Sequence, residues 1–360
     1  VPESYTPVQL TDVLDPFTGE RSDITFDVPT PSGSTGQSVI DGSELWALPG
    51  LFDADAHLPV LGRGVRETDR WRALAGGVTS LNTAVSWQDI QSLDLDAVTA
   101  FFAATDFPRI LPILSIADAP SSADFATWLD KFGEQIRTTW APIIKIYSND
   151  PHFWPNLEAI WASGCRAAIY FYDEQSYRQV LDSAGPVHFR HTISKSMADE
   201  VRARPDSTCQ TSPHFLLDLP PERPGELHVL PPVPGGQART SLITVLADEV
   251  DLIASDHNAP ILGNTGPGLE IQQHLLPALL TLTEQGALDL STAIEKATSA
   301  PAAVFQPAAT LSAASIIVDP RSAGPVGLWP GQEARRAAFL GIPLSGTTVA
   351  VHEHGRGFFL

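Results

Sequence analysis

Residues 49–57 read PGLFDADAH, with Asp53, Asp55 and His57 at every second position of an apolar segment. Side chains two apart on a strand point the same way. Three groups that bind metal ions or protons are therefore expected to face one space. Lys145 lies inside the apolar run APIIKIYS. A lysine there has to be paired, neutral or chemically modified, because a lone buried charge is costly. His191 closes the run VHFRH, and Asp256 closes DLIASD with His257 beside it. Carboxylate, imidazole and lysine at strand ends suit metal-assisted hydrolysis. The metal lowers the pKa of bound water and polarises a carbonyl, while a carboxylate takes the proton.

These residues need a scaffold that brings strand ends together. From Leu51 onward apolar runs alternate with helix-length stretches: LFDADAH, VTSLNTA, RILPILSI, PIIKIYS, RAAIYFY, PVHFRH, DSTCQTS and VDLIASDH. Amphipathic stretches such as SADFATWLDKFGEQIRTTW and SKSMADEVRAR separate them. Eight such runs predict a closed (β/α)8 barrel, in which chemistry sits at the C-terminal strand ends. Helix signals follow in STAIEKATSA and at Pro301. Both ends of the chain are β-like: VQLTDVL, SDITFDV and SVIDGSELWAL before the barrel, ASIIVD and GTTVAVHEHGRGFFL after it. The expectation is a small, sandwich-like β domain from residues 1–48 and 309–360, flanking a barrel over 49–308.

The composition narrows the function. The chain has 360 residues, 43% of them hydrophobic, enough for a sizeable core. A net charge of −20 repels phosphate backbones and anionic lipid, which argues against nucleic-acid and membrane partners. Two cysteines, Cys165 and Cys209, make no disulfide framework. No leader is visible, no apolar run reaches membrane-spanning length, and the chain begins at Val1. A cytoplasmic protein is the expectation.

The sequence resembles the dihydroorotase, hydantoinase and allantoinase branch of the amidohydrolase superfamily over nearly its whole length. ALPGLFDADAH is similar to that branch's PG-[LI]-ID-x-H-x-H, and GGVTS at 76–80 to its GG-x-T-[ST]. HTISKSMADEV, SPHF, ASDHNAP and GPGLE resemble its later motifs, and FLGIPLSGTTVAVHEHGRG its last β segment. The resemblance implies a two-metal site on six positions. Asp55 stands where the first histidine of His-x-His belongs, and His57 keeps the second. Lys145, His191 and Asp256 are kept, whereas Tyr172 takes the place of the fifth-strand histidine. The positions implied to hold the substrate are altered too, with Pro59 for an arginine, Ser86 for an asparagine, Leu230 and Pro234 in the NPPLR stretch, and Ile261 for a histidine.

Two readings follow. In the first, a dihydroorotase-like amidohydrolase opens a cyclic amide or imide other than dihydroorotate. One divalent ion, zinc or manganese, sits on Asp55, His57 and Asp256. Asp256 is the general base, and Lys145 and His191 support the site. Tyr172, Ser86, His214 and His257 are the expected substrate contacts. In the second, the protein is catalytically silent and holds no metal, and Lys145 pairs with Asp55 or Asp256. It then acts as a scaffold or partner, for example of aspartate carbamoyltransferase. Carboxylation of Lys145 is disfavoured beside that ion pair. The resemblance implies a homodimer. His188 and Arg190, counted backwards from His191, are expected to face the helix layer. His352 and His354 are expected at the surface of the small domain.

Overall fold

A computed structural model describes residues 4–30, 37–58, 66–92, 95–103, 108–117, 121–258, 267–305 and 313–360. The substituted positions Pro59 and Ile261 lie outside these residues. The N-terminal strands are β1 Ser4–Leu14, β2 Arg21–Thr30, β3 Ser38–Asp41 and β4 Trp46–Pro49. Next come β5 Leu51–His57, β6 Val78–Ser86, β7 Arg109–Ser115, β8 Ile143–Tyr147 and β9 Arg166–Tyr170. They continue with β10 Val187–Phe189, β11 Ser207–Thr211, β12 Leu252–Ile253 and β13 His257–Asn258. The chain ends in β14 Ser315–Pro325, β15 Pro343–Glu353 and β16 Arg356–Phe359.

Strands β5 to β12 pair in sequence order, and every pairing is parallel. β12 and β13 flank residues 254–256, and β13 pairs with the end of β5. The ladder thus returns to its first strand, as a parallel α/β barrel requires. All eight apolar runs read from the sequence carry these strands. Apolar side chains fill the space inside, among them Phe52, Ile113, Ile143, Ala168 and Leu252, with Phe305 packed against them. Helices cover the outside. The helix Ser122–Thr139 shows why: Ser121 caps it through Asp124 N, and Phe125, Leu129 and Ile136 line its buried face.

The terminal strands form a second sheet in the order β2-β16-β15-β14-β4-β1-β3, with β1 also paired to β2. Six strands therefore close on themselves, and β3 extends from β1. This corrects the sandwich-like expectation. Closure runs through short pairings, Arg356 with Asp27 and Leu14 with Trp46, and Val8, Leu10, Val13, Phe26, Ile317 and Ala350 fill the enclosed core. His352 is only partly exposed and stacks on Phe26 at 5.3 Å, while His354 is exposed. Among the described residues no helix is long and apolar enough to cross a membrane.

Candidate functional site

The end of β5 is irregular. Its pairing with β6 shifts register between Asp53 and Ala56, and the extra residue of such a shift re-aims side chains. Asp53 and Asp55 consequently part company. Asp53 accepts from Ser255 N and Oγ and from Gln272 Nε2. Asp55 faces the other space, so the three-residue cluster expected from the spacing reduces to Asp55 and His57.

Asp55 is fully buried and is the hub of the site. Its Oδ1 accepts from Lys145 Nζ at 2.6 Å and Arg190 Nη2 at 2.9 Å. Its Oδ2 accepts from Arg190 Nε at 2.9 Å, Arg190 Nη2 at 2.7 Å and Gln210 Nε2 at 2.6 Å. Gln210 in turn meets His188 Nε2 at 2.9 Å, and the other nitrogen of that ring meets Thr208 Oγ1 at 2.8 Å. His188 and Arg190 therefore point into the barrel, not toward the helices. His191 has a left-handed backbone, φ 54°. That kink turns its ring to the same side as Arg190, so the alternation of a regular strand does not extend to it.

Burial alone would push the Asp55 carboxyl up, but the Arg190 guanidinium and Lys145 ammonium hold it well below the usual carboxylate range. Burial lowers Lys145 to about 8 against the opposing pull of Asp55. Arg190 loses to burial but gains more from Asp55, and its charge is reinforced. His57 Nε2 lies 3.5 Å from Lys145 Nζ, and burial with that neighbouring cation keeps its imidazole neutral.

Asp256 lies across from this hub, also in a left-handed conformation, φ 58°. Its Oδ2 is 3.7 Å from His191 Nδ1 and 3.9 Å from His214 Nε2. His191 Nδ1 and both nitrogens of His214 are buried without a hydrogen-bond partner. Burial, and then the charge of Asp55, drive the Asp256 carboxyl well above the usual range. Burial lowers His214 to about 3, and burial with the Arg190 charge lowers His191 well below its ordinary value.

Two adjoining cavities open at these strand ends and share Tyr170, Tyr172, Arg190 and His191. The one of about 180 Å³ also touches His57, Tyr147 and Asp256. The one of about 230 Å³ also touches Tyr177 and Met197. Tyr172, 52% exposed, is a wall of both, and its ring lies 4.7 Å from that of Tyr170. Of the expected substrate contacts, His214 sits behind Asp256, but two others are elsewhere. Ser86 is exposed and bonded to Asp89. His257 is buried with Nδ1 accepting from Ile271 N. From the sequence Arg190 is expected at the helix layer, and Gln210, Tyr147 and Tyr170 carry no expectation. Their signal was parity: Tyr147 is two residues beyond Lys145, and Tyr170 two before Tyr172.

Ligand atoms of Asp55, His191 and Asp256 lie within 4.8 Å of one another. The donor chemistry nonetheless does not fit the metal that such a site implies. Both oxygens of Asp55 are engaged, and an ion there would face two cations, Lys145 and Arg190. A carboxylated Lys145 would set a second anionic group against Asp55 at hydrogen-bond range.

No protein-family model matches the chain. No curated protein matches it either. Solved structures do match. A D-hydantoinase superposes with a TM-score of 0.75 at 14% identity, covering 98% of this chain and 95% of its own. The L-hydantoinase (dihydropyrimidinase) from Arthrobacter aurescens gives 0.69 at 15%, covering 97% and 95%. The inactive dihydroorotase-like domain of the Chaetomium thermophilum CAD-like multifunctional protein gives 0.62 at 16%, covering 87% and 94%.

Proposed function

We propose that this chain, whose fold is that of the hydantoinase and dihydroorotase branch of the amidohydrolase superfamily, is a metal-free member that binds a small molecule without hydrolysing it. One observation carries the reading. Asp55, at a position where the resemblance implies a metal ligand, spends both carboxylate oxygens on Arg190, Lys145 and Gln210. Arg190 thus supplies a fixed positive charge where that resemblance calls for an ion. Without a metal, nothing at the site activates water as a metal-bound hydroxide, and Asp256 is biased toward the protonated form, a poor general base. A protein of this fold is described as an inactive dihydroorotase-like domain, and the same loss is inferred here.

The competing reading keeps the hydrolase. One ion would sit on Asp55, His191 and Asp256, the three groups whose ligand atoms are close enough. It requires Lys145 and Arg190 to release Asp55 together. Elemental analysis separates the two. Protein purified without chelator, then incubated with zinc or manganese and desalted, should retain no stoichiometric metal and open neither hydantoin nor dihydrouracil nor dihydroorotate. A retained equivalent of metal in the folded protein overturns the proposal, as does turnover of any of these rings.

A further inference from the structure

The metal-free reading leaves open what the pocket receives, and its walls are specific enough to name a class. The chain has five tyrosines, and four of them, Tyr147, Tyr170, Tyr172 and Tyr177, line the two adjoining cavities. Three of these rings form a run: Tyr147 and Tyr170 have centroids 6.0 Å apart, and Tyr170 and Tyr172 4.7 Å, while Tyr177 packs on Phe171 and Phe189. Tyr170 also meets the edge of His191 at 5.0 Å, and Arg190 Cζ lies 5.8 Å from its ring. Tyrosine rings present a large flat apolar body with a polar rim, which suits another planar ring.

Charge supplies the second constraint. One buried carboxylate, Asp55, is bonded to two buried cations, Arg190 and Lys145. Asp256 forms no ion pair with either cation among the described residues; its near neighbours are the imidazoles of His191 and His214. Arg190 lines both cavities, and Nε and Nη2 are taken by Asp55. Its Nη1 makes no hydrogen bond among the described residues. His191 also lines both cavities, and its buried Nδ1 lacks a partner. A planar guanidinium edge with an unpartnered nitrogen beside it is matched by a carboxylate. Each cavity is smaller than the ~300 Å³ at the low end for drug-sized ligands, which fits a single ring with a short substituent.

We propose that the meeting point of the two cavities binds a one-ring aromatic carboxylate, its ring against Tyr170 and Tyr172 and its carboxylate on Arg190 Nη1. Among the described residues Arg190 is the one lysine or arginine lining either cavity, and Asp173, Glu174 and Asp256 line them too. One guanidinium among these carboxyls selects a monoanion over a doubly charged phosphate ester, and the tyrosine wall selects an aromatic ring over a saturated one. This inference rests on the metal-free reading, since an ion at Asp55 would displace Arg190.

The test is calorimetric titration of protein whose metal content has been measured in the same sample. The probes are benzoate, 4-hydroxybenzoate and nicotinate, with benzamide, cyclohexanecarboxylate and phenyl phosphate as controls. At least one aromatic carboxylate should bind once per chain with a Kd below about 1 mM, and each control about tenfold more weakly. Tyr172→Ala, at a half-exposed position, should weaken binding about tenfold while leaving the melting temperature unchanged. Metal-free protein that binds none of the three carboxylates overturns this inference and leaves the metal-free reading standing. Equal binding of benzamide, or of the Tyr172→Ala protein, also overturns it. Retained metal, with carboxylates bound only in its presence, overturns both.

Discussion

Asp55 is a residue whose neighbours decide its chemistry. A buried ion pair is a weak source of stability, yet removing one partner leaves an uncompensated charge and costs about 3–5 kcal/mol. Here one partner serves two cations. Asp55→Ala would strand both Lys145 and Arg190 in the barrel. Chemical denaturation should show a loss at or above the upper end of that range, and a loss under about 1 kcal/mol would contradict the hub described for Asp55. The pairing of Lys145 was one of the alternatives visible in the sequence, because a lysine in IIKIY has few other fates. The second cation was not visible. Arg190 precedes a residue with φ 54°, and counting side chains back from His191 assumes an extended strand. One left-handed residue reverses the parity, so an arginine assigned to the helix layer sits at the centre of the pocket.

At the scale of elements, apolar runs carried most of the information. Strands such as β7 (RILPILS) and β8 (IIKIY) coincide with apolar runs, since both faces of such strands are buried, whereas β11 (STCQT) is polar. What escaped notice were departures from regularity: the register shift in β5 that separates Asp53 from Asp55, and the interruption between β12 and β13 at Asp256. Sequence spacing encodes a regular strand and carries no mark of where it bulges. Close approaches between elements are also set at this scale. A Cβ on Gly76 would lie 1.9 Å from the carbonyl oxygen of Gln272, whose side chain donates to Asp53. Neither backbone can yield cheaply, and Leu276 N also bonds Gly76 O. Gly76→Ala should therefore destabilise by about 1–3 kcal/mol through overpacking, read as a lower denaturation midpoint with unchanged slope.

For the whole molecule, buried imidazoles govern the response to acid. His188, His214 and His257 are each lowered by burial from 6.5 to about 3. Between those values the unfolded chain binds protons that the folded chain refuses. Their contribution to stability is therefore complete above pH 6.5 and is lost as the pH falls toward 3. The buried carboxyls of Asp53 and Asp256, whose values are raised, act in the opposite sense above 3.8 and soften the loss. His257→Gln removes one of the refused protons. The slope of unfolding free energy against pH should flatten by about 1.4 kcal/mol per pH unit between roughly pH 6 and 4. An unchanged slope would mean that His257 is already charged in the folded protein.

The gathering of tyrosines has a practical consequence. The eight tryptophans of the chain line neither cavity, and the fifth tyrosine, Tyr5, lies in the terminal sheet under Arg356. The two fluorophores of the molecule are thus divided by place as well as by wavelength. Nitration, iodination or fluorination of tyrosine would label the cavity mouth and the exposed Tyr5, and leave the rest of the barrel unlabelled. The two cavities beside Arg190 carry four such reporters.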